Sequence, residues 1–169
     1  RDDLSPWGSG PPVFAEHPAW IAEQVPGASS LWSPDVTFFG GEYHLYYAAS
    51  TFGSNRSCIG HATTARLEPG APSVDHGPVV CSTAMVDDWN AIDPDVVLDE
   101  SGAPWLLFGS YRSGIQLVAL DPSGARLGEE RVAIAARPVE EAIQAPTLIR
   151  RGSEYYLFAS FDFCCRGVE

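Results

Sequence analysis

Basic residues are scarce in this sequence. Ten lysine and arginine side chains are outnumbered by 22 aspartates and glutamates, which gives a formal net charge of −12 at pH 7. This charge excludes nucleic acid and anionic membranes as main partners, because both repel an acidic surface, and it leaves neutral polymers open. No apolar run approaches the roughly 20 residues of a transmembrane helix, so we expect no membrane insertion.

Cysteine and histidine motifs are also missing. The four cysteines form no CxxC pair, and the four histidines show no spacing typical of zinc ligands. A zinc hydrolase and a Ser-His-Asp hydrolase therefore find no support. Cys58 and Cys81 lie in consecutive strand-like runs, where either a disulfide or two buried thiols would fit. The adjacent Cys164 and Cys165 either close a vicinal disulfide or stay reduced.

The ends of the chain lack the usual terminal signals. The sequence opens on Arg1, its only methionine is Met85, and no signal peptide is visible. Hydrophobic residues make up 45% and charged residues 19% of the chain, a composition typical of a globular protein rather than a disordered one. We therefore expect an internal fragment of a longer globular protein.

Helical periodicity is nearly absent after residue 30. Residues 1–30 are rich in Pro, Gly and Ser, which predicts an irregular segment with one short strand near residues 12–15. Beyond them, short apolar runs alternate with turn sequences such as Gly40-Gly41 and Ser101-Gly102, which indicates hairpins. The predicted strands cover residues 35–39, 43–49, 57–62, 78–81, 95–98, 105–110, 115–119, 131–135, 146–150 and 155–160.

One motif occurs three times along these strands. Its shared proline stands at positions 34, 94 and 146, so the copies are 60 and 52 residues apart. A period near 50 residues with four strands per repeat is typical of β-propeller blades rather than of a sandwich. The sequence holds two nearly complete blades and the opening of another. Such an arc would leave unpaired edge strands, which again favours a fragment.

Polar residues near the shared proline form the candidate site. In a propeller the innermost strand of each blade lines the central channel, so equivalent positions face one cavity. Asp93 and Gln144 would supply polar groups to this cavity, with Asp35 as a further candidate and Asn90 beside Asp93. The alternatives are that Asp93 caps its own turn and that Gln144 is a satisfied buried amide.

Aromatic residues at strand ends and in the following loops form a second candidate group. They are Trp32, Phe52, Trp89, Tyr111 and Phe161. Their flat faces could stack on sugar rings while carboxylates and amides bind hydroxyl groups. Because aromatic side chains bury large areas whatever the function, we expect about half of them to fill the core between blades.

Five ordered motifs carry a family resemblance. They are Leu-Trp-Ser-Pro-Asp at 31–35, Tyr-Tyr-Ala-Ala-Ser-Thr-Phe-Gly-Ser-Asn-Arg-Ser-Cys-Ile-Gly at 46–60, Trp-Asn-Ala-Ile-Asp-Pro at 89–94, Phe-Gly-Ser-Tyr-Arg-Ser-Gly-Ile at 108–115 and Phe-Ala-Ser-Phe-Asp-Phe-Cys-Cys-Arg-Gly at 158–167. Together they resemble the endo-α-1,5-L-arabinanases of glycoside hydrolase family 43. The resemblance implies a secreted five-bladed β-propeller, monomeric at full length, that hydrolyses α-1,5-linked L-arabinan with inversion. This chain would span the end of blade 1 (residues 1–30), blade 2 (31–88), blade 3 (89–139) and the start of blade 4 (140–169).

The same resemblance implies three acidic residues around the channel. The general base lies in a His-Asp-Pro motif of the first blade, which this chain does not contain. Asp93 matches the aspartate that tunes the pKa of the general acid and orients it. Gln144 stands where the family has the glutamate that acts as general acid, and an amide cannot donate a proton as a carboxylic acid does. Glu140 and Glu141 lie too far along the chain to replace it.

We therefore expect an impaired hydrolase of arabinan. The alternatives are an inactive propeller that binds arabinan or related oligosaccharides, and a hydrolase whose specificity has moved to xylan or another arabinoside. From the resemblance, Trp32 and Phe52 are expected to stack on sugars, and Phe161 is a further aromatic candidate. Asn90, Ser110 and Cys164 are expected near the channel mouth. No cofactor is assigned; full-length members often hold a calcium ion on the propeller axis, but no ligand for it can be placed in this chain.

Overall fold

The computed structural model of the chain describes residues 10–138 and 142–162. One short helix, α1 (Ala19–Gln24), precedes ten strands. The strands are β1 (Leu31–Phe39), β2 (Glu42–Ala49), β3 (Ser57–Thr64), β4 (Val74–Ser82), β5 (Asp95–Leu98), β6 (Pro104–Phe108), β7 (Ile115–Ala119), β8 (Val132–Ala135), β9 (Ile143–Arg151) and β10 (Glu154–Phe161). The prediction of an all-β chain of the five-bladed propeller class is confirmed. In the part of the chain that the structure describes, no helix is long and apolar enough to span a membrane.

The strands form three antiparallel sheets in chain order. The first sheet has the order β1-β2-β3-β4, the second has the order β5-β6-β7-β8, and β9 pairs with β10 in the third. Gly40 and Gly41 join β1 to β2 with φ angles of 59° and 91°, the left-handed pair that a two-residue hairpin turn requires. All ten predicted strands occur, several of them longer than predicted. The assignment of these sheets to numbered blades stays a prediction.

The segment before the first sheet differs from its prediction. The short strand expected near residues 12–15 is wrong, because this segment is irregular, and Pro11 and Pro12 have no backbone N–H to donate to a ladder. Helix α1 was not predicted. It begins directly after Pro18 and buries Ile21, which is 2% exposed, in a cluster with Tyr47 of the first sheet. A helix of six residues is too short to show the periodicity by which helices are recognised.

The hydrophobic core continues from each sheet to the next. The cluster between the first and second sheets comprises Phe39, Tyr46, Ile59, Val80, Trp89, Ala91, Val96, Leu106, Phe108, Val118 and Leu120. A further cluster joins the second sheet to the third through Val97, Leu107, Ile115 and Ile143. Successive sheets therefore pack against each other through side chains, as neighbouring propeller blades do.

Two neutral histidines lie inside the interface between the first and second sheets. His44 Nδ1 and His61 Nε2 are 2.9 Å apart, and the ring of Tyr46 stacks on that of His61. Tyr46 Oη donates a hydrogen bond of 2.9 Å to the carbonyl of Gly124, in the loop after β7. Burial lowers the pKa of His61 to about 3 and also lowers the pKa of His44, so both rings are uncharged near pH 7.

Two aspartates tie the first strands of successive sheets together. Asp35 Oδ2 accepts a hydrogen bond of 3.1 Å from the Val96 N–H, and Asp95 Oδ2 accepts one of 2.9 Å from the Leu148 N–H. Both aspartates follow the shared proline of their repeat. We call Asp35 and Asp95 the linking aspartates. The carboxylate of Asp35, a candidate for the channel on sequence grounds, is thus engaged in joining β1 to β5.

The residue before each shared proline has the same unusual backbone. Ser33, Asp93 and Ala145 have φ angles of 45°, 57° and 51°. A left-handed conformation is uncommon for residues other than glycine, and the following proline restricts the residue further. Each of the three repeats therefore contains the same backbone kink. The kink turns the side chain before the proline away from the regular alternation of its strand.

A disulfide closes the outer edge of the first sheet. Cys58 and Cys81 face each other in the β3 and β4 ladder and are bonded through their sulfur atoms. The sequence left open whether these residues are bridged, and the structure decides for the bridge. The pair Cys164 and Cys165 lies outside the described residues.

Candidate active site

The predicted site residues within the described ranges gather at one end of the three sheets. This is the end where β1, β5 and β9 begin and where β2, β6 and β10 finish. Trp32 and Gln144 lie near the beginnings of first strands, and Phe161 closes β10. Phe52 and Ser110 lie in the loops that follow β2 and β6. Cys164 lies outside the described residues.

Asp93 contacts both neighbouring sheets. Its Oδ1 accepts a hydrogen bond of 2.7 Å from Ser33 Oγ, which lies 60 residues earlier in the first sheet. Its carboxylate also accepts a hydrogen bond from the backbone N–H of Ala145, in the third sheet. These partners argue against a carboxylate that only caps its own turn. Burial raises the pKa of Asp93, while the two hydrogen bonds act in the opposite direction.

Gln144 is a buried amide with both ends bonded. Ser110 Oγ donates to Gln144 Oε1 at 3.2 Å, and Gln144 Nε2 donates to the Asp162 carbonyl at 3.2 Å. Gln144 is 7% exposed and Ser110 is 3% exposed. The structure therefore brings Ser110 and Gln144 into contact. It also places Asp93 on the amide of Ala145, directly next to Gln144 in the chain.

The predicted aromatic residues divide between core and surface. Trp89 is core, 8% exposed, and its ring packs on Phe108. Trp32 and Phe52 contact each other with ring centroids 4.9 Å apart, and Phe52 is 84% exposed. Phe161 is 61% exposed. The faces available for stacking are therefore those of Phe52, with Trp32 behind it, and the face of Phe161 that the Arg137 guanidinium does not cover.

Comparison with known proteins gives the family. The sequence model of Glycosyl hydrolases family 43 matches residues 2–169. This chain belongs to glycosyl hydrolase family 43. Among its curated relatives, the extracellular endo-alpha-(1->5)-L-arabinanase 1 of Bacillus subtilis is 41% identical over 99% of this chain and 52% of the relative. The extracellular exo-alpha-(1->5)-L-arabinofuranosidase ArbA of Cellvibrio japonicus is 34% identical over 95% of this chain and 51% of the relative.

Solved structures of the same family superpose closely on this family 43 chain. An exo-1,5-alpha-L-arabinanase from a bovine ruminal metagenomic library matches with a TM-score of 0.91 and 44% identity, over 99% of this chain and 58% of that one. The family 43 endo-arabinanase of Bacillus licheniformis matches with a TM-score of 0.88 and 42% identity, over 96% of this chain and 56% of that one. The chain thus spans about half the length of the relatives that it matches.

Several residues that contact the candidate site of this family 43 chain were not found from the sequence. Ser33 binds Asp93, and its position before the shared proline was the one signal that pointed to it. Asn55 and Ser57 hold the loop that contains Asn90 from the neighbouring sheet, and no local pattern marks them. Among residues 10–138 and 142–162, no group of three or more His, Cys, Asp or Glu side chains could hold a metal ion.

The linking aspartate Asp95 should make stability depend on pH. Burial raises its pKa from the ordinary 3.8 to about 6. Between these two values the folded state binds the proton more tightly than the unfolded state does. The contribution of Asp95 to stability is thus fully present below about pH 4 and is lost as pH rises through 6. Asp95→Asn keeps an oxygen for the Leu148 N–H and removes the buried charge. We expect it to raise the unfolding free energy at pH 7 by on the order of 1 kcal/mol, with no gain at pH 4.

Urea denaturation of wild type and variant at pH 4, 5, 6 and 7 measures this difference. Asp99→Asn is a control of opposite sign, because hydrogen bonds from Ser101 and Trp105 lower the pKa of Asp99 to about 2. That variant should lose stability at neutral pH. An Asp95→Asn gain that is equal at pH 4 and pH 7 would show that its buried charge carries no cost.

Proposed function

We propose that this chain is part of a glycoside hydrolase that cleaves α-1,5-linked L-arabinan by inversion, with hydrolysis impaired by Gln144. The observation that carries the proposal is the contact of Asp93 with the Ala145 N–H, beside position 144. It is supported by family membership and by relatives that are named as arabinanases. The first and second sheets are then blades 2 and 3, and β9 and β10 open blade 4.

The proposed chemistry gives each side chain a physical role. An inverting glycosidase places its base and its acid roughly 6.5–9.5 Å apart, so that a water molecule fits between the base and the sugar. A glutamate at position 144 would be the acid, and the nearby carboxylate of Asp93 would raise its pKa by like-charge repulsion. The amide of Gln144 can donate a hydrogen bond to a glycosidic oxygen but cannot transfer the proton. Binding would thus be retained while proton transfer is lost.

A propeller that binds arabinan without cleaving it is the second candidate function. It is favoured by the Gln144 amide, whose oxygen accepts from Ser110 and whose nitrogen donates to Asp162, so that the side chain needs no rearrangement to be stable. The exposed rings of Phe52 and Phe161 serve either function, because stacking on sugars requires no catalysis. Either form is proposed to be secreted and monomeric at full length. Two relatives are named extracellular, and the Cys58–Cys81 disulfide suits an oxidising compartment.

Calorimetry with a linear α-1,5-arabino-oligosaccharide tests what the two candidates share. In the protein at its full natural length we expect binding, with release of reducing ends close to the uncatalysed background. Phe52→Ala should weaken binding by about tenfold, because stacking of a sugar on one aromatic ring contributes on the order of 1–2 kcal/mol. Leu67→Ala is the control, because Leu67 is an exposed apolar residue in the loop between β3 and β4, at the opposite end of the first sheet. Binding of xylo-oligosaccharides in preference to arabino-oligosaccharides would overturn the assignment of the substrate.

A further inference from the structure

A row of buried polar side chains runs from the first sheet to the candidate site. Ser50 Oγ and Ser57 Oγ are 2.8 Å apart, and Ser57 Oγ donates to Asn90 Oδ1 at 2.8 Å. Ser57 is completely buried, Ser50 is 3% exposed and Asn90 is 9% exposed. Because Asn90 belongs to the second sheet's entry loop, the row crosses from one sheet to the next.

The direction of these hydrogen bonds fixes the orientation of the Asn90 amide. A hydroxyl group has a single hydrogen, and that of Ser57 goes to Asn90 Oδ1, so Ser50 donates to Ser57 at 2.8 Å in preference to the Thr51 carbonyl at 3.5 Å. The oxygen of the Asn90 amide therefore points into the first sheet. Its nitrogen points the other way, and no group in the described ranges 10–138 and 142–162 accepts a hydrogen bond from it.

Asn55 holds the backbone of the same loop. Its Nδ2 donates to the carbonyls of Asp87 and Trp89, each at 3.0 Å, and the side chain is 1% exposed. Ser82 also holds this loop, because its Oγ donates to the Asn55 carbonyl at 2.6 Å and accepts from the Ala91 N–H at 3.0 Å. The carbonyl before Asn90 and the amide after it are thus both fixed by the first sheet.

We propose that Ser57 and Asn55 are positioning residues that present Asn90 as a hydrogen-bond donor to the ligand. The ligand group would be an acceptor oxygen, a hydroxyl or ring oxygen of the sugar chain. The role rests on the proposed function, because it requires that the arabinan chain occupy this end of the sheets. In this role, side chains of the first sheet orient the group of the second sheet that binds the ligand.

The physical basis is the cost of losing orientation. Without the Ser57 hydroxyl, the Asn90 oxygen has no buried partner, and the amide can rotate to present oxygen instead of nitrogen. A sugar acceptor then meets a repulsive group in part of the population. A net hydrogen bond of about 1 kcal/mol corresponds to a change in affinity of about fivefold, and the repulsive orientation adds to it. We expect Ser57→Ala to weaken oligosaccharide binding about tenfold.

The test is a double-mutant cycle on the protein at its full natural length, read out as the Kd of linear arabinohexaose. Ser57→Ala should raise the Kd about tenfold in the wild-type background. In an Asn90→Ala background it should change the Kd less than twofold, because the oriented group is already gone. A purely structural role of Ser57 would give the same change in both backgrounds and would overturn the proposal.

A matched control separates positioning from stability. Thr63→Val also removes one buried hydroxyl from β3, but at the far end of the strand, where Thr63 bonds His76 at 2.8 Å. It should lower the Tm by a similar amount and leave the Kd unchanged. As a second variant, Asn55→Asp keeps the shape and places oxygen against two carbonyls, so it should also weaken binding. A wild-type protein that does not bind arabinohexaose overturns the proposed function, whereas normal binding by Ser57→Ala overturns the positioning role alone.

Discussion

Replacement of Gln144 by glutamate in the protein at its full natural length, which would also supply the general base, is expected to raise the rate of α-1,5-arabinan hydrolysis by a factor of about 10²–10⁴, the usual contribution of a general acid. The geometry already suits the substituted side chain. Ser110 Oγ would donate to one carboxyl oxygen, as it now donates to Oε1. The other oxygen would replace Nε2 opposite the Asp162 carbonyl, where only a protonated carboxyl can donate. Position 144 therefore favours the protonated acid, which is the form that catalysis requires.

The measurement is the release of reducing ends from linear arabinan, with the anomeric form of the first product followed by NMR. Activity of the Gln144→Glu variant should fall at high pH as the introduced acid ionises, and the first product should have inverted configuration. Gln116→Glu is the matched control, since it places the same new carboxyl at another buried glutamine, one that bonds Ser113 rather than Ser110 or Asp162. It should restore nothing. Unchanged binding without hydrolysis in Gln144→Glu would favour the binding protein over the impaired enzyme.

Replacement of Gly124 by alanine is expected to destabilise the protein by about 4 kcal/mol or more. Gly124 has a φ of 87°, which costs roughly 1–2 kcal/mol for a residue with a Cβ atom. Its added Cβ would also lie 2.6 Å from His44 Nδ1, 2.7 Å from His61 Cε1 and 2.7 Å from Tyr46 Oη. These groups are buried. The two histidines bond each other, and Tyr46 stacks on His61 and bonds the Gly124 carbonyl, so they cannot move aside without breaking the contact between the first two sheets.

Gly128→Ala provides the control for this prediction. Gly128 lies four residues later in the same loop with a φ of 72°, and nothing lies within 4 Å of its hypothetical Cβ. It should therefore show the backbone cost alone. Urea denaturation gives the unfolding free energy of both variants. The difference between their losses of stability measures the cost of the steric clash at Gly124. Equal losses of stability in the two variants would mean that His44 and His61 can move aside at little cost and that the interface between the first two sheets is loosely packed.

The strands, and the gathering of the candidate residues at one end of the sheets, could be predicted from the sequence because both follow from local patterns. Alternating apolar runs between turn residues gave the ten strands, and the repeated proline put Asp93 and Gln144 at equivalent ends of successive sheets. A sequence repeat indicates which residues lie close together in space, because equivalent positions of successive repeats face the same part of the fold. The shared end of Asp93 and Gln144 could thus be predicted without knowledge of any contact.

The remaining features depend on contacts between distant residues. Helix α1 is stabilised by burying Ile21 against the first sheet, and the sequence of residues 19–24 alone does not require a helix. The carboxylate of Asp35 bonds an amide 61 residues away, and nothing local distinguishes that role from a channel position. The state of Cys58 and Cys81 depended on whether their strands are neighbours in register. Each of these depends on contacts that the local sequence does not reveal.

The linking aspartates also set an order of events during synthesis. Asp35 and Asp95 accept their hydrogen bonds from amides 61 and 53 residues closer to the C-terminus. On the ribosome each carboxylate therefore emerges well before the amide that it will bind. Thr37 Oγ1, two residues away, donates to the carboxylate of Asp35 at 3.1 Å and can hold it in place meanwhile. Each completed sheet thus offers a ready acceptor to the next one, and the arc can be assembled in one direction as translation proceeds.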